Sequence, residues 1–95
     1  MSDNYTALER VLRDALEQAS SGKGADRYGQ GKPFEQQPMM TISDELGTDA
    51  GMAFQAIKKL TEALRTDHPG RRVHELLGAI NYIAGIVVWH RRNKK

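Results

Sequence analysis

The stretch Val73–Trp89, which reads VHELLGAINYIAGIVVW, decides the fold of this chain. Apolar residues cover most of the circumference of the helix that it predicts, whereas a surface helix carries a single apolar stripe. Its most apolar part, residues 78–89, is interrupted by Asn81 and is shorter than the roughly 20 residues that cross a bilayer. The stretch therefore predicts a helix over residues 71–92 that is buried in protein, with no membrane contact.

Two more helices follow from the recurrence of apolar residues three and four positions apart. The predicted helices cover residues 6–20 and 48–65, and Pro38 and Gly47 bracket a short helix over residues 39–46. The connector to the C-terminal helix is short, so the last two long helices form an antiparallel hairpin. The predicted fold is all-α, one domain over residues 1–95, with a long Gly/Pro-rich loop over residues 21–38.

Small residues on the C-terminal helix predict a close helix contact. A glycine inside a helix costs about 1 kcal/mol relative to alanine, so Gly78 and Gly85 need compensation. We expect a second subunit to cross there, which makes the protein a homo-oligomeric helical bundle; close packing within one chain is the alternative. Asn81 is expected to pair with a symmetry mate, or else to shape a ligand pocket with Tyr82. The predicted oligomer interface comprises Leu77, Gly78, Asn81, Tyr82, Gly85 and Trp89.

Composition excludes several kinds of chemistry. The chain has no cysteine, so it has no disulfide, thiolate metal site or cysteine nucleophile. Its formal charge of +2 gives weak steering toward nucleic acid, and acidic residues interrupt its basic groups, which disfavours nucleic-acid binding. The polar, acidic start of the sequence is unlike a secretory signal, so we expect a cytoplasmic protein.

The glycine-rich loop is the best candidate for a binding site. Glycines let successive backbone N–H groups converge on an anion, and the loop carries three basic side chains among them. Its aromatic side chains can stack on a base, although neither the spacing of a P-loop nor a preceding strand is present. The alternative is a flexible basic loop that Phe34 anchors to the core. The predicted ligand-binding residues are Lys23, Arg27, Tyr28, Gln30, Lys32, Phe34 and Gln37.

No metal site, cofactor or catalytic residue is predicted. The three histidines lack the four-residue spacing of a helical metal site. A hidden nucleotide hydrolase would need Glu45, Asp49 and Glu62 to converge, which their spacing alone does not indicate. We therefore expect a protein that is not an enzyme.

Three segments resemble small bacteriophage and prophage proteins that have no settled activity: Arg27–Phe34 with Gln37–Pro38, Gln55–Leu60 and Glu75–Ile83. The helical hairpin is also similar to all-α nucleotide pyrophosphohydrolases, but their paired metal carboxylates are missing. The resemblance implies a phage protein in the host cytoplasm and little about its chemistry. By analogy with other small phage proteins, we expect it to sequester a nucleotide-like defence signal. An inhibitor that binds a host defence protein is the alternative.

Overall fold

Four α-helices build the part of the chain that the computed structural model describes, residues 3–21 and 32–93. They are α1 (Thr6–Ser21), α2 (Pro38–Leu46), α3 (Ala50–Arg65) and α4 (Pro69–Arg92), with 3-10 turns at Asp3–Tyr5 and Phe34–Gln36. No strand occurs among these described residues, so the all-α prediction is confirmed. None of the described helices is long and apolar enough to span a membrane.

Local chemistry explains where the helices begin and end. Pro38 and Pro69 each occupy a first-turn position, where a missing N–H costs nothing. Gly47 ends α2 in the left-handed conformation, with φ of 69°, and its N–H donates to Ser43 O at 2.8 Å. Before α4, His68 Nδ1 accepts from the Arg71 N–H at 3.1 Å, which satisfies one free donor of the first turn. These boundaries lie within two residues of the predicted ones.

The hairpin of α3 and α4 is the centre of the fold. The order of contacts is antiparallel: Arg72 Nε donates to Ala63 O at 3.0 Å, Lys59 pairs with Glu75 at 3.5 Å, and Asp49 meets His90 at 2.6 Å. Buried residues of all four helices meet around the hairpin: Ala15, Met40, Ser43, Met52, Ala56, Ala63, Ala79 and Gly85. Most are small, so the helices approach closely and the core is thin.

The special residues of α4 find partners within the chain. A Cβ atom at Gly85 would lie 2.9 Å from Met52 Sδ, and one at Gly78 would lie 3.3 Å from the Lys59 stem. Asn81 Nδ2 donates to Ala15 O of α1 at 3.0 Å, so its observed partner is α1 and not a symmetry mate. These contacts account for Gly78, Asn81 and Gly85 without a second subunit. The predicted interface stays a prediction, and these three residues no longer require it.

One side of the hairpin is not covered by the described part of the chain. On α4, Val73, Ile83 and Val87 are exposed, and the half-buried Leu76 and Ile80 continue the same stripe at spacings of three and four. A second apolar stripe, Ile57, Leu60 and Leu64, is exposed on α3. We call this surface the hairpin face: Ile57, Leu60, Leu64, Val73, Leu76, Ile80, Ile83 and Val87.

Candidate functional site

A groove of about 600 Å³ lies between α1, the segment 32–37 and α4. This volume falls within the range of roughly 300–1,000 Å³ that small-molecule sites occupy. Its walls are Leu12, Ala15, Leu16, Ala19 and Ser20 of α1; Lys32, Pro33, Phe34 and Gln37; and Ile80, Asn81 and Ala84 of α4. Most of these side chains are apolar, so the groove suits a ligand with a substantial apolar body.

The apolar stripe of α1 is wider than the contact of α1 with α4. The part of the stripe that α4 does not cover forms one wall of the groove. Ala15 is only 2% exposed against α4, whereas Leu12 and Leu16 are 48% and 63% exposed. Two side-chain bonds hold the helices together: Asn81 donates to Ala15 O, and Gln18 Nε2 donates to His74 O at 3.2 Å. The helix is thus fixed in place while its leucines remain free to cover a ligand.

The third wall is a short turn that precedes α2. The Gln36 N–H donates to Pro33 O at 2.9 Å, which forms a 3-10 turn and leaves Phe34 half-buried at the groove. Gln37 Nε2 donates to Lys32 O at 3.2 Å and so holds the Lys32 backbone beside the turn. The side chain of Lys32 is exposed, and it is the one cation among the described lining residues. An anionic ligand group is therefore best accommodated at this end.

The structure brings together three of the seven predicted ligand residues. Lys32, Phe34 and Gln37 all border the groove. The other four predicted residues, Lys23, Arg27, Tyr28 and Gln30, lie outside the described residues. The chain leaves α1 next to Ser20 and is described again from Lys32, and both of these residues line the groove. The unplaced candidates therefore belong to the segment that follows Ser20 and precedes Lys32 in the chain.

Sequence reasoning missed the two helical walls. In the sequence, Leu12 and Leu16 look like ordinary core positions of an amphipathic helix. Ile80 and Ala84 look like parts of a buried helix. The available signal was the width of the α1 stripe, which spans six apolar positions in a short helix. Only the position of α4 shows that the stripe is partly uncovered.

A second, apolar groove of about 410 Å³ lies between α2 and α3 on another side of the hairpin. Met39, Ile42, Leu46 and Phe54 contribute apolar surface, and Tyr82 of α4 borders it. Lysine and arginine are missing from its described lining, which makes it less suited than the first groove to an anionic ligand.

Among the described residues, no three histidine or acidic side chains lie close enough to hold a metal ion. Of the three carboxylates considered for a hydrolase, Asp49 pairs with His90 at 2.6 Å. Glu45 and Glu62 are exposed on different helices.

The chain matches no protein family, no curated protein and no solved structure. No relative therefore supplies a function, and of the two grooves the first is the one that Lys32, Phe34 and Gln37 all line.

Proposed function

We propose that this protein is a non-enzymatic binding protein that holds a nucleotide-like anionic ligand in the groove between α1 and α4. The observation that carries the proposal is the convergence of Lys32, Phe34 and Gln37 on one apolar groove. A flat base packs against Phe34 and the leucines of α1, and Lys32 attracts the phosphate. Gln37 keeps the Lys32 backbone in place through the bond to its carbonyl.

The segment 22–31 completes the proposed site. Its glycines and its two basic residues, Lys23 and Arg27, are the group that sequence reasoning assigned to an anion. We propose that these two cations bind the phosphates and that Tyr28 and Gln30 contact the base. The support is connectivity, because Ser20, two residues before the segment, and Lys32, directly after it, border the groove.

On this proposal the ligand is stored and not converted. Sequestration of a nucleotide signal needs only affinity and abundance, which suits a small binding protein. The proposed setting is a phage-encoded protein in the host cytoplasm that removes a defence signal from solution. It rests on the resemblance of the three segments to phage proteins, and fold-level likeness alone assigns no activity.

Isothermal titration calorimetry against a panel of cyclic and linear nucleotides tests the proposal. We expect at least one member to bind at micromolar concentration, and the Lys32→Ala variant to bind it about tenfold more weakly, as for one charge-assisted contact. Lys58→Ala is the matched control, because Lys58 is exposed on α3 and does not line the groove. Absence of heat with every nucleotide rejects the proposal.

We further propose that the protein is a homo-oligomer and that the hairpin face is buried in it. Six of its eight residues are apolar side chains that are 41–72% exposed, and large exposed apolar patches mark interaction sites. Ile83→Glu should lower the mass seen in sedimentation equilibrium, and Leu46→Glu, 67% exposed outside this face, should not. An Ile83→Glu variant with unchanged mass contradicts this interface.

A specific observation also favours the second candidate, an inhibitor that binds a host defence protein. Tyr5, Leu8 and Val11 extend the apolar stripe of α1 beyond the groove, and all three are exposed. A protein partner covers such a stripe better than a small ligand does. Capture of one host protein by the wild-type chain but not by Leu8→Glu, without any nucleotide binding, would establish this alternative.

A further inference from the structure

The side chain of Arg92 connects the end of α4 to the turn that forms the third groove wall. Its Nη1 donates to Glu35 O at 2.9 Å, and its Nη2 donates to Asp44 Oδ2. Glu35 follows Phe34, which lines the groove. Arg92 stands in the basic segment 90–95, and its guanidinium joins α4 to the turn and to α2, which lie 57 and 48 residues earlier in the chain.

Asp44 fixes the orientation of that guanidinium. Its Oδ1 accepts the indole N–H of Trp89 at 3.0 Å, while its Oδ2 accepts from Arg92. Trp89 and Arg92 are three residues apart on α4, so both side chains leave the same face of the helix. One carboxylate of α2 therefore holds the last turn of α4 at two points. Bonds of this kind are stronger than neutral ones because the groups are charged.

The turn depends on this connection because its other hydrogen bonds are local. Gln36 N–H donates to Pro33 O, Gln37 N–H donates to Phe34 O at 3.3 Å, and the Gln37 side chain reaches Lys32 O. Each of these bonds spans at most five residues. Within the described ranges, the bond from Arg92 is the hydrogen bond that ties the turn to a distant element, 57 residues away.

We infer that Arg92, oriented by Asp44, is a positioning residue of the groove. It holds the wall that carries Phe34 and the Lys32 backbone, and so it sets the groove's affinity without contacting the ligand. The part of this inference that concerns ligand affinity rests on the proposed function, whereas the part that concerns the wall does not.

Arg92→Lys separates positioning from general stability. Lysine keeps a positive charge beside Asp44, but a single ammonium does not reproduce the two-armed grip of the guanidinium. We expect the backbone amides of residues 35–37 to exchange hydrogen about fivefold faster, the factor that one exposed hydrogen bond supplies. Exchange in the centre of α3 should not change. Arg91→Lys at the exposed neighbouring position is the matched control for Arg92→Lys, and Arg91→Ala is the matched control for Arg92→Ala.

Two optical probes complete the experiment. Anilinonaphthalene sulfonate is an anion with a large apolar aromatic body, which fits the groove's chemistry. The Leu16→Glu variant identifies the part of the dye's fluorescence that comes from the groove. We expect Arg92→Lys to weaken that part about fivefold, the factor of one lost hydrogen bond. Trp89 is the single tryptophan of the chain. Its fluorescence emission should be unchanged in Arg92→Lys and should shift in Asp44→Ala, which removes the carboxylate that accepts its indole N–H.

The outcomes are distinguishable. Unchanged exchange of residues 35–37 in both Arg92→Lys and Arg92→Ala overturns the inference, as does an equal change in the matched Arg91 variant. Faster exchange with unaltered dye affinity also overturns it, because the wall would then move without affecting the groove. If the wild-type chain binds no nucleotide but the exchange and dye results hold, the proposed function fails and the positioning role of Arg92 stands.

Discussion

Changing Gly85 to alanine tests whether α4 packs tightly within its own chain. The added methyl group would lie 2.9 Å from Met52 Sδ and 3.2 Å from Met39 Cε, both inside the distance of ordinary contact. Met52 is 1% exposed, so its sulfur has no route into solvent. The side chains of α2 and α3 must therefore shift to admit the methyl group.

The expected cost follows from two opposing effects. Extra methyl groups in a packed core cost about 1–3 kcal/mol, while alanine in place of glycine inside a helix gains about 1 kcal/mol. Methionine side chains adapt more easily than branched ones, so we expect a net loss of about 1 kcal/mol of unfolding free energy. For a chain of this size, such a loss lowers Tm by roughly 4–8 °C.

Urea unfolding followed by circular dichroism measures this effect, at one protein concentration and with the mass checked by sedimentation. Gly51→Ala is the control, because no atom lies within 4 Å of a Cβ there, and we expect it to stabilise by about 0.5 kcal/mol. The packing described here is refuted if Gly85→Ala is as stable as Gly51→Ala. A loss of mass with an unaltered protomer would instead place Gly85 at a subunit contact.

Further predictions concern single contacts. Gly47→Ala should destabilise by about 1 kcal/mol, since φ of 69° strains any residue with a Cβ; a thermal melt equal to that of the wild type would contradict this. Asn81→Ala should cost about 1 kcal/mol in urea unfolding because the bond to Ala15 O is lost, and a neutral result would mean that the bond adds nothing. Leu16→Glu should abolish nucleotide heat while stability stays within about 0.5 kcal/mol, because Leu16 is mostly exposed; retained binding would move the site elsewhere.

The candidate site was predictable only in part. Lys32, Phe34 and Gln37 were found because they stand beside the glycines and prolines of one segment, where residue type and backbone freedom indicate a binding loop. Leu12 and Ile80 were not found, because they look like any core residue until the distance between α1 and α4 is known. Their exposure depends on where two helices meet, and helical periodicity alone does not say where.

The sequence by itself determined the helices and their ends. Pro38, Gly47 and Pro69 act through their own backbone geometry and the hydrogen bonds of adjacent residues, so their effects can be predicted without a partner. Apolar side chains surround most of the helix over residues 73–89, so the sequence likewise requires that this helix be buried, whatever it packs against. Both effects are local consequences of side-chain type.

Only the tertiary structure decided what the special residues of α4 contact. Asn81 meets Ala15 across 66 residues, Trp89 meets Asp44 across 45, and Arg92 reaches Glu35 across 57. The same side chains could equally have served a symmetry mate or solvent, because a polar group requires a partner but does not specify which one. The packing of α1 and α2 on the hairpin made that choice, and with it placed the groove.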